Sequence, residues 1–314
     1  MLVYPQALKV ICVRYACRHF PPHPPRRLPH ALSNQNHPNN PFTHKTHKAG
    51  RGQKGRIMKR GRLTKEEQTQ RIKALLIFIY TFRYATRKQL EMFIQVIMNL
   101  SFTRWLIDHS FQEGFINAYY EPLFKTRIYY LTYKGKEMIC DQVMVEHYCF
   151  EKTHAGLNTF IHHNSMIEAF FLLRSHLNIK EWVPESALRQ GKKSGEKIPD
   201  GLVSFANGIN AALEVETRYK KLGVLRSFVK KYRYDIEKIS RYHCILMIAS
   251  SRFNYDGLKT RLYNIAPEFC SKAFILADMG MLELGMCFYQ GKLIHIEESI
   301  KLIKEERDGH GQNR

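Results

Sequence analysis

The chain has few acidic side chains and lacks several familiar signatures. It carries 28 Asp and Glu against 49 Lys and Arg over 314 residues, a formal net charge of +21. No apolar run reaches the roughly 18 residues that span a bilayer. No GxxxxGK[ST] phosphate loop occurs either, so a membrane-spanning protein and an NTP-driven motor are both disfavoured. The positive charge favours a polyanionic partner, most simply a nucleic acid. An anionic membrane surface competes as partner, but no basic amphipathic helix with a broad apolar face supports it.

Cysteine is present only at scattered positions. The seven cysteines form no CxxC pair and their number is odd. This usage is typical of thiols in a reducing cytoplasm and not of a disulfide framework. Cys12, Cys17, His19 and His23 lie near one another, but their spacing matches no zinc pattern. We therefore expect a cytoplasmic protein.

Residues 1–63 differ in composition from the rest of the chain. No acidic residue precedes Glu66, lysine and arginine recur, and most of the 12 prolines lie here. No apolar period runs through the segment, which predicts a disordered basic tail. Its weakly apolar start is interrupted by cations and makes a poor signal peptide. The alternative is that translation begins at Met58, because residues 58–63 would suit the start of a basic DNA-binding domain.

Helix-start patterns open the next segment. Thr64 with Glu66 and Glu67 behind it predicts the cap of a first helix, which continues as an apolar stripe with helical spacing. Thr86 and Gln89 form a capping-box pattern for a short second helix. Two helices in quick succession are thus predicted from local signals alone.

Residues 64–150 as a whole are predicted to form a winged helix-turn-helix domain. A third helix is expected from Ser101 to Gly114. The aromatic and β-branched runs 115–120 and 126–131 flank a proline-containing turn and predict a β-hairpin. Thr132 then opens a last helix, expected to run through residue 145. Three helices, a hairpin and a helix are the element order of a winged helix-turn-helix.

The predicted DNA contacts lie on the second helix, the third helix and the hairpin. They are Arg87 and Lys88, Thr103 and Arg104, and Lys125 and Arg127. On the third helix, Trp105 and Leu106 are predicted to face the core. The alternative is that these cations are only a solvated face, and winged helices also serve as protein-interaction modules.

Residues 151–300 are predicted to form an α/β domain. The pattern gives a helix at 164–177, a strand at 181–185, two short strands around Asn207-Gly208, a helix at 222–238, a buried strand at 244–249, a helix at 255–265 and a strand at 273–278. The order is α-β-β-β-α-β-α-β. A polar, basic loop precedes the two short strands, and residues 301–314 are predicted to be a polar tail.

Three acidic residues are predicted to converge on one face of this domain. Asp200 heads one short apolar run, while Glu214 and Glu216 lie two positions apart in the next run and so share a strand face. If the runs pair as a hairpin, Asp200 reaches the same face. Converging carboxylates repel one another, and Mg²⁺ or Mn²⁺ resolves the conflict because hard cations take oxygen ligands. The pattern is typical of metal-assisted phosphodiester cleavage.

The order and the motifs resemble a known nuclease fold. Residues 198–201, Ile-Pro-Asp-Gly, followed by residues 213–216, Leu-Glu-Val-Glu, resemble the PD-(D/E)xK (restriction-endonuclease-like) core. Glu168 lies where that fold often carries a glutamate on its first helix. A winged helix joined to such a core is similar to the replication-relaxation family of plasmids and mobile elements, itself similar to the C class of mobilisation relaxases. The resemblance implies an α+β protein that acts on double-stranded DNA at a plasmid or transfer origin.

Glu216 departs from the pattern of that fold. The motif usually ends in a lysine, which steadies the attacking water and the charge that develops on phosphorus. Three interpretations stay open: Lys220 replaces the lysine, Glu216 binds a second metal, or the core has lost catalysis. His162 and His163 do not match the His-x-His site of tyrosine relaxases and are interpreted as residues that begin a helix or form hydrogen bonds.

Two functions of different classes are therefore expected. The first is a DNA nickase or relaxase in which Asp200 and Glu214 hold the metal, Glu216 assists and Lys220 stabilises the developing charge. The alternative is a non-catalytic replication or transcription regulator with a degenerate nuclease-like domain. Such a protein would assemble as a homodimer or as a relaxosome accessory protein. A restriction or defence nuclease, which would cut chromosomal DNA at many sites, is a third candidate.

Overall fold

A computed structural model describes residues 64–100, 103–143, 157–189 and 197–311. The predicted basic tail and the Met58 alternative lie outside these residues. So do most of the predicted basic loop and the boundary expected near residue 150. The described chain combines helices with two β-sheets, so the expected α+β class is confirmed.

The first unit, residues 64–143, packs helices around a small antiparallel sheet. Its elements are α1 Lys65–Phe82, β1 Ala85–Thr86, α2 Arg87–Met92, α3 Thr103–Gln112, β2 Ile116–Glu121, β3 Thr126–Leu131 and α4 Tyr133–Glu137. A π-helical turn, Phe93–Ile97, extends α2, and a 3-10 turn, Pro122–Phe124, joins β2 to β3. The sheet has the order β1-β3-β2. The predicted hairpin is confirmed, with β2 and β3 paired along their whole length.

The predicted cap at Thr64 and the predicted capping box at Thr86 are both present, and the cap at Thr64 is itself a capping box. The Thr64 hydroxyl accepts a hydrogen bond from the amide of Glu67, whose carboxylate accepts one from the amide of Thr64. Thr86 and Gln89 form the same reciprocal pair at the start of α2. Each pair satisfies two backbone donors that a helix start leaves unpaired.

Two predictions for the first unit are wrong. Trp105 does not face the core: it is 45% exposed and stacks on His109, one helical turn away. The buried stripe of α3 runs through Leu106, Ile107 and Ser110 instead, because helical spacing puts only one side of a short helix inward. The last helix is also shorter than expected, since α4 ends at Glu137 and only turns follow up to residue 143.

The second unit is built on a sheet of seven strands. Its elements are α5 Leu157–His176, β4 Ile179–Pro184, α6 Glu185–Leu188, β5 Gly201–Phe205, β6 Asn210–Glu216, α7 Leu222–Glu237, β7 Cys244–Ala249, α8 Arg252–Ile265, α9 Pro267–Ala273, β8 Phe274–Asp278, α10 Met279–Glu283, β9 Met286–Tyr289, β10 Lys292–His295 and α11 Ile296–Gly311. The strand order is β10-β9-β8-β7-β6-β5-β4. The strands β6, β7 and β8 run parallel, and the other pairs are antiparallel. The predicted α-β-β-β-α-β-α-β order is confirmed, with the short helices α6, α9 and α10 added to it.

The C-terminal part differs from the prediction. The hairpin of β9 and β10 was not expected, and the segment predicted as a polar tail from residue 301 continues the helix α11. That helix buries Ile300 and Ile303 while its charged residues stay exposed. A narrow apolar stripe in a polar sequence is enough to hold a helix against a sheet.

One continuous set of buried side chains joins the two units. Phe78 and Phe82 of α1 contact Phe170 of α5, with ring centroids 6.2 and 5.3 Å apart. Phe82 also contacts Trp182 of β4 at 6.1 Å. Large aromatic rings bury much apolar area, so this contact holds the units together firmly. Among the described residues, no helix combines the length and the apolarity needed to cross a bilayer.

Candidate active site

The hairpin of β5 and β6 turns at the predicted polar residues. The side-chain oxygen of Asn207 accepts a hydrogen bond from the amide of Ile209 at 3.2 Å. Gly208 has a φ of +88°, which glycine adopts without strain. In the resulting register Gly201 lies opposite Leu213, so the residue before β5 comes next to the second half of β6.

Asp200, Glu214 and Glu216 lie together at one end of this hairpin, and we call them the carboxylate cluster. Both glutamates are buried on β6, and the side chain of Asp200 is only 16% exposed. One oxygen of Asp200 accepts a hydrogen bond from the amide of Val215 at 2.8 Å. Burial raises the pKa of both glutamates, and the nearby charge of Asp200 raises it further. The three groups are therefore electrically coupled, as the sequence predicts.

Glu214 is the most deeply buried member of the cluster. Burial, together with the charge of Asp200, raises its pKa to about 7, although the charge of Lys197 opposes the shift. The ammonium group of Lys197 lies 2.6 Å from Oε1 of Glu214, and the hydroxyl of Tyr232 donates a hydrogen bond to the same oxygen. Burial and the neighbouring Glu214 also raise the pKa of Tyr232. A buried charge needs such partners, because an unpaired one costs several kcal/mol, roughly.

Glu216 is the last residue of β6 and pairs with the lysine that the sequence proposed for the site. Lys220 donates a hydrogen bond from its ammonium group to Oε1 of Glu216. Burial raises the pKa of Glu216 even though the charge of Lys220 works against it. The ammonium group of Lys220 therefore lies at the end of β6, although Lys220 follows the position where the motif usually has a lysine by four residues.

Phe228 of α7 supports both lysines. The ammonium group of Lys197 lies 5.4 Å from the centre of its ring, and that of Lys220 lies 4.9 Å away. A cation over an aromatic face is attracted to it and is also partly shielded from water. Phe228 is itself buried on the apolar side of α7. Its position explains how two cations stay beside the carboxylate cluster.

His162 is a member of the site that the sequence did not identify. Nε2 of His162 lies 3.4 Å from Oδ1 of Asp200. Burial acts to lower the pKa of His162, but the hydrogen bond and the charge of Asp200 outweigh burial and raise it. The reverse holds for Asp200: burial acts to raise its pKa, but His162 and the amide of Val215 lower it. No local pattern could have revealed this pair, since its partners are 38 positions apart in the sequence.

The charged neighbours of Glu168 are Glu283 and Lys88. Glu168 is exposed on α5. The partial burial that it retains and the charge of Glu283 raise its pKa, while the charge of Lys88 opposes the shift. His162 and Glu168 are six positions apart on one helix, so they point in different directions. The role expected for Glu168 stays a prediction, whereas His162 stands beside Asp200.

The site pairs each acid of the carboxylate cluster with one basic side chain. Asp200 has His162, Glu214 has Lys197 and Glu216 has Lys220. A comparison of the chain with protein-family models, curated proteins and solved structures finds no match. The chemistry of this site is therefore argued from its own side chains. Neighbouring carboxylates and ammonium groups suit a substrate that carries phosphate. The ammonium groups attract the phosphate, and the carboxylates can orient a metal ion or a water molecule.

The donor chemistry of the carboxylate cluster suits Mg²⁺ or Mn²⁺, since all its donors are oxygens. Within the described residues, no three acidic, histidine or cysteine side chains are arranged to hold a metal ion. Two of the three acids contact lysines in this arrangement, so a divalent cation would compete with Lys197 and Lys220 for the same oxygens. Metal binding and lysine release are therefore linked.

The predicted DNA-contact residues differ in how accessible they are. Arg87 is held inside the first unit, because it pairs with Glu91 at 3.1 Å and with Asp108 at 3.2 Å. It ties α2 to α3 and is less available to a phosphate than expected. Thr103 begins α3. The remaining four side chains are exposed at the surface, namely Lys88, Arg104, Lys125 and Arg127.

Proposed function

We propose that this chain binds DNA and cleaves one of its strands by hydrolysis, in the replication or mobilisation of a plasmid or mobile element. The observation that carries the proposal is the carboxylate cluster with two lysines on it, at the carboxyl end of β6 beside the parallel strands. Ligands of open α/β sheets bind at this edge. The arrangement supports a PD-(D/E)xK-like core in which Lys220 stands in for the usual lysine.

The DNA-binding half of the proposal is supported by the first unit. Three helices, a two-stranded hairpin and a further helix in that order agree with a winged helix-turn-helix. In that fold α3 enters the major groove, where Arg104 is exposed, and the hairpin offers Lys125 and Arg127 to the backbone. The net charge of +21 adds sequence-independent attraction to phosphate.

The chain's own residues would divide the chemistry as follows. A divalent cation, when bound, supplies Lewis-acid stabilisation of the charge that develops on the phosphate. Asp200 is oriented by the amide of Val215 and by His162, so its oxygens keep a fixed direction. Lys220 is 27% exposed and lies beside Glu216, where its ammonium group can donate to a phosphate oxygen. The buried surroundings strengthen each of these charge interactions.

A second function is favoured by one specific observation. Every acid of the carboxylate cluster already has a basic side chain as partner, so each acid has a contact without any metal or substrate. In a non-catalytic regulator these pairs would be structural, and the second unit would only mediate assembly. Such a protein binds DNA equally well with and without a chelator and never cuts it.

The deciding experiment compares Asp200→Asn with Asp256→Asn. Purified full-length protein is incubated with its own supercoiled replicon in Mg²⁺, Mn²⁺ or EDTA, and the products are separated on a gel. We expect metal-dependent conversion to open circles, and a loss of about 100-fold or more in Asp200→Asn, which keeps the shape but removes the charge. Asp256 is exposed on α8 and pairs with Arg252 on the same helix, so it controls for the loss of one acid elsewhere.

Three outcomes separate the candidates. Open circles that require metal and Asp200 establish the nickase. DNA that is retarded but intact under every condition establishes the regulator. Loss of DNA retardation together with cleavage in Asp200→Asn assigns Asp200 a structural role and rejects it as a catalytic residue.

A further inference from the structure

An exposed tyrosine stands beside the carboxylate cluster and is backed by a fixed arginine. Tyr219 lies in the loop between β6 and α7, and 68% of it is exposed. The guanidinium carbon of Arg261 lies 3.6 Å from the centre of the Tyr219 ring. One face of the ring is thus covered by Arg261, and the high exposure leaves the opposite face to solvent.

Arg261 is held in place by the backbone. Its Nε donates a hydrogen bond to the carbonyl of Gly257 at 2.7 Å, and its Nη1 donates to the carbonyl of Lys220. Lys220 is the residue whose ammonium group contacts Glu216. Arg261 therefore ties the Tyr219 ring and the site lysine into one rigid piece.

The open face of Tyr219 suits one class of ligand. Flat exposed aromatic rings near cations bind unpaired bases, because every base has a π-face and the cations follow the phosphates. Arg218 precedes the tyrosine, and Arg226 and Lys230 lie one turn apart on the exposed face of α7. In a duplex the faces of a base are covered by its neighbours, so a stacking ring of this kind favours an unpaired strand.

We propose that Tyr219, backed by Arg261, is a stacking platform for an unpaired DNA base at the entrance to the carboxylate cluster. The strand is then single-stranded where it meets Lys220. This rests on the proposed cleavage of DNA at that cluster and adds the state of the substrate to it. The step is one of binding, and its contribution is position: stacking fixes the base, and the adjacent phosphate comes to Lys220.

The test measures binding without cleavage. Full-length protein is titrated in EDTA against a fluorescently labelled single strand of about 12 nucleotides and against the duplex of the same sequence. We expect Tyr219→Ala to weaken single-strand binding by about 5- to 150-fold, which corresponds to the loss of one stacked base, while Tyr219→Phe keeps it. Tyr234→Ala is the matched control, because Tyr234 is 59% exposed near the other end of α7. It should change binding by no more than about twofold.

The outcomes are distinct from those of the nicking experiment. Equal effects of Tyr219→Ala and Tyr234→Ala would overturn the platform, as would equal weakening of single-strand and duplex binding by Tyr219→Ala. If the platform persists while no metal or Asp200 dependence of nicking is found, the cleavage function fails and the strand-binding site stands. If nicking depends on Asp200 but Tyr219→Ala leaves single-strand binding unchanged, only the platform is rejected.

Discussion

Buried acids occur at the same edge of the central sheet in two different settings. Glu216 ends β6, lies opposite Ala249 of β7, and Ala249 lies opposite Asp278 of β8. The carboxylate of Asp278 caps α10 by accepting a hydrogen bond from the amide of Met281 at 2.8 Å. Its other oxygen lies 3.4 Å from Arg252. The carboxylate of Glu216, in contrast, pairs with the side-chain ammonium group of Lys220.

The comparison distinguishes an acid that stabilises the fold from acids whose burial is not explained by a gain in stability. A carboxylate that caps a helix satisfies a backbone donor and contributes to stability. A buried carboxylate paired with a lysine commonly adds little, because desolvation of both charges offsets their attraction. Two such pairs, Glu214 with Lys197 and Glu216 with Lys220, lie side by side at the end of β6 and are therefore better explained by function than by stability. Mutations at the two places should show this as a difference between activity and stability.

The largest expected effect is on activity at Lys220. We expect Lys220→Gln, which keeps a hydrogen-bond donor but removes the charge, to lower the nicking rate by about 10²- to 10³-fold, as when one donor to a developing oxyanion is lost. Lys221→Gln is the control, since Lys221 is the adjacent exposed lysine at the start of α7. The rates are compared per folded molecule in the nicking assay. Equal rates for the two variants would place Lys220 among structural cations, like Arg252.

The next effect is on stability as a function of pH. Burial raises the pKa of Glu214 to about 7 from its ordinary 4.5, so the folded chain holds a proton that the unfolded chain has lost. Stability therefore falls as pH rises through this window, by roughly 3 kcal/mol once both pKa values are passed. Glu214→Gln should remove this fall, seen as a gain relative to wild type between about pH 5 and about pH 8 in urea unfolding. Glu305→Gln, at an exposed position of α11, is expected to keep the wild-type slope.

The smallest effect is at Asp278. Loss of the cap in Asp278→Ala should lower the free energy of unfolding by about 1–2 kcal/mol, the usual worth of a helix cap. Arg252 is 64% exposed, so it remains solvated when its partner is gone and adds little to the loss. Nicking per folded molecule should not change. A large drop in nicking by correctly folded Asp278→Ala would mean that the edge at β8 belongs to the site as well.

The features that depend on local sequence signals were predicted correctly. The cap at Thr64 and the capping box at Thr86 depend on residues at most three positions apart, and the hairpin carrying the carboxylate cluster depends on a polar turn between two apolar runs. The shared face of Glu214 and Glu216 follows from strand alternation alone. These features need no knowledge of the rest of the chain.

The features that were not predicted depend mainly on contacts between residues that are far apart in the sequence. His162 on α5 meets Asp200 before β5, and Lys197 meets Glu214 on β6 beside the ring of Phe228 on α7, so each contact joins separate elements of the fold. Trp105 was predicted to face the core, but the buried stripe of α3 follows helical spacing and leaves it outside. The hairpin of β9 and β10 has a Gln-Gly turn with positive φ at both residues, a weaker sequence signal than Asn-Gly.

The aromatic contact between α1 and α5 fixes the distance between the two units. Phe78 and Phe82 rest against Phe170 and Trp182, so packing, and not the length of a connecting segment, fixes the separation between α3 and the carboxylate cluster. A linker lets two halves of a protein search over many distances, whereas a shared core allows one. Under the proposed function, a strand bound by the first unit would meet the second unit a constant number of nucleotides away, so the place of binding would set the place of cleavage.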